Sequence, residues 1–572
     1  MDIRRTVLWV VFSLSLLMLW DKWQQHNGRP PMLFPGASEQ VKVAPRNATG
    51  APAAGTASVL PSAGTDVSAS GLPDATAAVV GKGETITITT DIFKADIDTL
   101  GGALKRLELL KQKETVKRKW YEAFLELVGR EKDTTPIKNV VLFDTNASRS
   151  YVAETGLIGG AFPSHKSLFT ARPGVRTADA GGVVQLVLEA EQGGVRLTKT
   201  YSFKNGDYHI GVKHEVTNVG TVAVTPSLYL QLVSDGTKPS GDSSFASTFT
   251  GPAMYTDADK FQKVKFEDIE KGKAEHAAKA DNGWVALVQH YFVSALVLPT
   301  GTPHEIFTKK VDTNLYAVGD IVPLGTLAPS ASKVIDAQLY SGPQESAALE
   351  STAPHLELVK DYGWLKIIAE PIFWLMTQIH KVLGNWGWTI IVLTLLIKLA
   401  LFPLSAASYR SMAKMKLLTP KMTEIRERHK SDPQKMNQAM MTLYKTEKAN
   451  PVGGCLPVLV QIPVFISLYW VLLASVEMRN APWLGWIHDL ASPDPFFILP
   501  VLMAVSMFIQ TKLNPAPPDP MQAKVMMFMP LIFSAMFFFF PSGLVLYYVV
   551  NNVLSIAQQW AITKQAGGLP AR

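Results

Sequence analysis

Lys398 is the residue whose type and place most need explaining. It sits within Trp386–Ser405, in a run reading GWTIIVLTLLIKLALFPLS. About 20 residues at 1.5 Å rise match the ~30 Å hydrocarbon thickness of a bilayer, so the run is predicted to be a membrane-spanning helix. A cation in hydrocarbon costs ~2.5 to 3.5 kcal/mol on insertion scales, so its ammonium must face protein or a water-filled cavity. Snorkelling is the alternative, because the helix end lies about two turns away. Both readings stand at this point. Thr394 and Ser405 fall on roughly the same helical face as Lys398 and make a polar stripe. Gln461 lies inside a second apolar run, Leu456–Ser475. Tyr548, Asn551, Asn552, Ser555 and Gln559 recur at helical spacing in a third, Leu544–Thr563. The chemistry of such a set is electrostatic. A cation among polar groups attracts acidic groups and holds water where neither belongs.

Covalent chemistry finds little support. His209, His214, His290, Glu215, Asp235 and Asp242 lie in a β-rich region, but no HExxH, GxSxG or glycine-rich phosphate loop accompanies them. Histidines on strands are more often hydrogen-bonded or solvated than catalytic. The single cysteine, Cys455, excludes an intramolecular disulfide and reads as a free buried thiol. No metal, cofactor or catalytic residue is expected, and the chain is read as a non-enzyme.

The elements that must position the polar set follow from composition and charge. The 572 residues are 47% hydrophobic and 18% charged, with a mean hydropathy of +0.12. This is a mixed architecture of membrane and aqueous parts. The net charge of +7 comes from basic residues beside apolar runs, the membrane pattern rather than that of a sequence-specific nucleic-acid binder.

At the amino end, Arg4 and Arg5 precede Thr6–Trp20, and DKWQQHNGRP offers no small-x-small cleavage site. Residues 1–26 are therefore expected to be a retained anchor with a cytoplasmic amino end. Residues 27–82, rich in Ala, Gly, Pro, Ser and Thr, read as a flexible tether. From Glu84 the period becomes two, and the clearest hairpin joins Val195–Phe203 to Tyr208–Val216 through Asn205-Gly206. A single large antiparallel sandwich is predicted over 83–345. Lys117–Lys132 interrupts it with a helical pattern.

Residues 356–383 mix Ile367, Ile368, Trp374 and Leu375 with Lys366, Glu370 and Lys381, which predicts an amphipathic helix on the membrane surface. Spans are expected at about 386–405, 456–475, 495–512, 525–540 and 544–563. The loop 406–454 holds ten basic and four acidic residues and is placed in the cytoplasm by the positive-inside rule. Two helices are predicted within it. One carries Met412, Met415, Leu418, Met422 and Ile425; the other, capped by Asp432, carries Met436, Met440 and Leu443. Lys414, Lys416 and Arg426 give the hairpin a basic face. Methionines in such a pair usually pack against each other, and they also make adaptable surfaces for apolar partners.

The runs NWGWTIIVLTLLIK, KMKLLTPKMTEIRER, MMTLYKTEKANPVGGCLPVLVQIPVF and FPSGLVLYYVVNN closely resemble the YidC family of bacterial membrane protein insertases. The match is dense over about 356–563, and the amino-terminal parts resemble the Gram-negative form. The resemblance implies a multi-domain membrane protein. Its fold class is an α-helical transmembrane core of five helices plus an amino-terminal anchor helix, with an all-β periplasmic sandwich similar to that of sugar mutarotases. It also implies a hydrophilic groove in the core, with Lys398 at its cationic position and Thr394, Gln461, Tyr548 and Asn551 as client-contacting lining. Many relatives carry arginine at that position, so the planar bidentate fork is lost here while the charge is kept. The implied location is the bacterial inner membrane, multi-pass, with both termini cytoplasmic and the large domain periplasmic. The implied partners are nascent membrane-protein clients, the secretion translocon, the ribosome and membrane lipids. Two other classes remain beside this one: a membrane-tethered periplasmic carbohydrate-active or binding protein, and a small-solute transporter.

Overall fold

The computed structural model describes residues 72, 82–114, 137–146, 149–178, 182–237, 248–429, 432–447, 456–514, 527–529 and 534–565. The anchor expected at Thr6–Trp20, the helix expected at Lys117–Lys132, Asp242 and all of the tether except Leu72 and Lys82 lie outside the described residues. What is described falls into two units, one ending at Val359 and one beginning at Lys360.

Strict alternation builds the first unit. In Val195–Lys204 the residues Val195, Leu197, Lys199, Tyr201 and Phe203 are buried, while those between them are exposed or half-buried. Ile210 pairs with Phe203 across the expected hairpin. Gly206 takes a φ of 72°, which the turn requires, and its N–H donates to Asp91 at 2.6 Å. Among the described residues the strands form two antiparallel sheets of ten and nine strands. The first sheet runs Thr85–Thr89, Phe93–Asp98, Ala103–Lys113, Arg149–Ile158, Ser227–Asp235, Leu315–Pro323, His304–Asp312 and Lys279–Ala280 from edge to edge, with two short strands beside it. The second runs Lys260–Lys263, Gly251–Thr256, Trp284–Val288, Phe292–Val297, Ser332–Pro343, His209–Asn218, Val195–Lys204, Val183–Gln192 and Thr170–Ala171. Leu228, Leu230 and Leu232 of the first sheet share one apolar core with Leu186, Leu188 and Leu197 of the second. This is the expected sandwich.

The sandwich unit continues past residue 345. After the short helix α1 at Phe266–Glu270, a second, α2 at Ser346–Thr352, and a 3-10 turn at Leu356–Val359 lie against the second sheet. Leu349, Ala353, Leu356 and Val359 are buried with Trp284 and Tyr340, and Trp284 Nε1 donates to the Pro354 carbonyl at 3.1 Å. The segment expected to be one amphipathic helix over 356–383 is therefore divided. His355 (φ 63°) and Gly363 (φ 64°) are left-handed, and the regular helix α3 starts only at Lys366 and ends at Leu383.

In the second unit, Asn385 caps α4, Trp386–Ala400, by accepting from the Trp388 N–H. The helix expected to reach Ser405 stops at Ala400, and the chain bends by 67° into α5, Phe402–Arg428, with Pro403 in its first turn. Proline fits a helix start and not its interior, which accounts for the break. Asp432 caps α6, Pro433–Thr446, through the N–H groups of Gln434 and Lys435. Then follow α7, Leu456–Ala474, α8, Ile498–Leu513, and α9, Ser542–Gln565. Among the described residues no single helix is long and apolar enough to cross a membrane alone; the bent pair of α4 and α5 meets that measure by length and composition only.

The helical unit has an apolar core that includes Ile390, Leu393, Leu468, Leu499 and Leu544, and polar residues are buried beside it. α4 buries Thr389, Thr394 and Lys398 and exposes Trp388, Leu395, Leu396 and Leu399. α8 buries Ser506 and exposes Val501, Leu502, Val505, Phe508 and Ile509. α9 buries Asn552, Ser555, Gln559 and Thr563 and exposes Val553 and Trp560. Helices with apolar residues outside and hydrogen-bonded polar residues inside suit hydrocarbon as a solvent.

Candidate functional site

The polar seam of the second unit is built by α9 packing on α4, α5 and α8. Thr394 and Lys398 are one turn apart on α4 and face α9 together. Lys398 is 2% exposed, and its ammonium donates to the Ser555 hydroxyl at 2.7 Å. Ser555 in turn donates to the Asn551 carbonyl at 2.6 Å, and Tyr409 of α5 also bonds to Ser555. Among the described residues no carboxylate pairs with Lys398. Thr394 donates to the Ile390 carbonyl at 2.6 Å, which keeps a hydroxyl in the seam without an unsatisfied donor. The cation is seated in a closed polar contact between helices and does not reach an outer surface.

Further along α9, Asn552 Nδ2 donates to Ser506 at 3.1 Å and Gln559 Nε2 donates to Asn514 at 3.0 Å. The stripe of α9 therefore serves two neighbours, Ser555 turning to Lys398 while Asn552 and Gln559 turn to α8. The structure does not gather all five expected residues at one point. Tyr548 belongs to an aromatic cluster, with ring centroids 4.6 Å from Phe465, 4.8 Å from Phe537 and 5.7 Å from Tyr547. Gln461 lies on α7 one turn before Phe465, and both Gln461 and Asn551 are half-buried. Ser506, Asn514 and Tyr409 were not singled out by sequence reasoning. Ser506 had a usable signal, a hydroxyl amid the apolar run AVSMF.

The hairpin of α5 and α6 packs Leu418 and Met422 against Met415, Met440, Leu443 and Tyr444. Lys421 pairs with Glu447 at 2.6 Å between the helices. Met440 is thus a packing residue, while Met436 is half-buried outside that cluster. Lys414 is exposed, and Lys416 and Arg426 are half-buried. Phe402, Leu417 and Met441 are exposed large apolar side chains of these two helices.

Two family descriptions match almost end to end. Residues 85–375 match the YidC periplasmic domain, and residues 378–567 match the 60Kd inner membrane protein family. A curated relative from Janthinobacterium sp. (strain Marseille), named membrane protein insertase YidC, is 63% identical across 99% of this chain and 100% of its own. The chain belongs to the YidC family. A second YidC relative, from Herminiimonas arsenicoxydans, is 62% identical over the full length of both chains. A solved structure of an active YidC insertase aligns over 84% of this chain and 93% of its own, at 20% identity and a TM-score of 0.37. The boundary between the two YidC descriptions falls within α3. Membership of YidC carries the inner membrane as the location.

Proposed function

We propose that this chain is a membrane protein insertase that lowers the barrier to moving a client's polar segment across the inner membrane, and that Lys398 is its attracting charge. The observation that supports this best is the buried lysine of the helical unit, hydrogen-bonded to Ser555 while α4, α8 and α9 expose apolar residues. A bilayer span needs no buried ammonium, and the expense of keeping one calls for a use. An acidic client residue about 4 Å from the ammonium gains about 4 kcal/mol at an effective dielectric of 20. That offsets much of the penalty for bringing a carboxylate to membrane depth. Because Ser555 satisfies Lys398 in the resting arrangement, a client carboxylate competes for a donor that already has a partner. The seam thus stays closed until an acidic group arrives.

Gln461 and Tyr548, with Thr394 and Asn551, line the path that a parting of α7, α4 and α9 opens. The client's apolar segment then leaves along the outward apolar faces into lipid. Hydrophobic partition and the membrane potential supply the drive, and no covalent step is required. In the proposed topology the sandwich is periplasmic, the α5–α6 hairpin is cytoplasmic, and both termini are cytoplasmic. The basic hairpin face suits the ribosome and anionic lipid, and the core suits lateral contact with the secretion translocon.

The test reconstitutes the full chain in liposomes with a series of single-span clients matched except for the charge of the translocated tail. Lys398→Ala is expected to impair acidic tails most, about 10-fold, with neutral tails less affected. An equal penalty for all tails sinks the electrostatic role.

A further inference from the structure

The outer face of the ten-stranded sheet carries an apolar patch that a sandwich in water has no reason to display. Val152, Ile158, Tyr229, Val233, Phe307, Ala317 and Ile321 point away from the main core and are nevertheless buried, forming a cluster of their own. The register shows that they are one surface. Val152 lies opposite Val233, which lies opposite Ala317; Tyr229 lies opposite Ile321; and Phe307 lies opposite Gly319. A Cβ at Gly319 would sit 2.0 Å from the Leu230 carbonyl, so that position is held bare beside the Phe307 ring. Gln231 and Glu154, joined by a 2.8 Å hydrogen bond, lie in the row between Tyr229 and Val233 and satisfy each other within this face.

The remaining member of this cluster is Leu72, which is 6% exposed and comes from the segment read as a tether. We propose that Leu72 is a docking residue that ties the amino-terminal tether to the outer face of the ten-stranded sheet. The patch is an interaction surface whose occupant is this chain's own Leu72. Three features commit the site to it. The side chain is already in the pocket. The nine residues 73–81 between Leu72 and Lys82 hold Leu72 at an effective concentration on the order of millimolar, which a free partner rarely matches. Pro73 narrows the conformations the segment gives up on docking.

The segment 73–81 contains Ala75, Ala77, Ala78, Val79 and Val80, which suit elastase, and its protection reports docking. The full chain in membranes is treated with elastase, and cleavage between residues 73 and 82 is followed by mass spectrometry. Leu72→Asp is expected to accelerate cleavage there about 10-fold or more, Leu72→Met to leave it near wild type, and Phe307→Ser to reproduce Leu72→Asp from the sheet side. Leu60→Asp makes the same change at the tether's other Leu-Pro step and is expected to change nothing. Sandwich unfolding midpoints are recorded for every variant. Leu72 lies outside every strand, so Leu72→Asp decides the matter if Phe307→Ser weakens the sheet. An unchanged rate for Leu72→Asp overturns the proposal, as does an equal acceleration by Leu60→Asp.

Discussion

Single residues carry charge into both units, by different means. Lys398 keeps its ammonium through Ser555, whose hydroxyl accepts from lysine and donates to the Asn551 carbonyl. Ser555→Ala therefore leaves a buried donor unmet and is expected to destabilise the helical unit by about 1 to 3 kcal/mol, read as an earlier midpoint in detergent. Lys398→Arg is expected to insert clients nearly as wild type does, because either cation can donate to Ser555, and Lys398→Glu to do worse than Lys398→Ala with acidic tails. Identical behaviour of all three across the client series would remove the groove role. In the sandwich, Lys199 is fully buried, donates to the Gly101 and Thr155 carbonyls at 2.6 and 2.7 Å, and stands 4.6 Å over the Phe169 ring. Desolvation lowers its pKa to about 7, below the unfolded value of about 10.4. Between those values the unfolded chain binds more protons, so this group makes sandwich stability rise from pH 7 to 10. Asp320 works in the opposite direction. Burial raises its pKa to about 8, so the folded state binds more protons from pH 4 to 8 and stability falls across that window. His304 lies 3.8 Å from Asp320, and burial lowers its pKa. Melting the sandwich against pH is expected to show the fall abolished by Asp320→Asn and the rise abolished by Lys199→Met. A slope that survives its own substitution would refute the assignment. Lys398 was legible in the sequence because a charge interrupts an apolar run. Lys199 carried a signal that sequence reasoning did not take up, since alternation in VRLTKTYSFK puts it on the face of Leu197 and Tyr201.

Elements were legible where periodicity is local, and less so where a backbone angle or a proline decides. The Asn205-Gly206 hairpin and the Asp432 cap lie where turn and cap chemistry put them. The break after Ala400 and the start of α3 at Lys366 depend on Pro403 and on the left-handed Gly363, which composition alone does not convert into a boundary. That entry to α3 is pinned. Lys360 lies 3.1 Å from Glu477 and 4.3 Å over the Phe373 ring, tying the chain before α3 to the turn at Val476–Met478. Removing one partner of a nearly dry pair leaves the other charge unmatched and costs about 3 to 5 kcal/mol when both are buried; Glu477 is partly exposed, so less is expected here. Glu477→Gln should lower the detergent midpoint by several degrees, and the double change Lys360→Met with Glu477→Leu should recover most of it. Equal losses in single and double variants would show that the pair is not coupled. The α5–α6 hairpin poses the complementary question of surface charge. Reversing Lys414, Lys416 and Arg426 together is expected to slow client capture at low ionic strength and to matter little at high salt, since such attractions fade within about 8 to 10 Å. Capture that is unchanged at low salt would make the face a solvated one.

At the scale of the whole molecule, each unit has its own apolar core. An insertase whose buried cation and polar seam lie, among the described residues, beyond Lys360 should not need the sandwich for the act of insertion. The place of the cut decides whether that can be seen. A deletion of residues 84–341 follows the strand signals of the sequence, yet it leaves Leu349, Ala353, Leu356 and Val359, which pack on Trp284 and Tyr340, with nothing to cover them. Four apolar side chains newly exposed near the membrane surface invite aggregation, at roughly 1.5 to 3 kcal/mol of lost burial for each larger one. A deletion of residues 83–359 removes the sheet together with what packs on it and keeps Lys360 for Glu477. The longer deletion is therefore expected to accumulate well and to insert short single-span clients at close to the wild-type rate, while the shorter one accumulates poorly for a reason unrelated to insertion. Membrane levels and insertion per molecule, measured side by side, separate the two effects. Loss of insertion per molecule in the well-accumulating 83–359 deletion would mean that the sandwich takes part in the act itself.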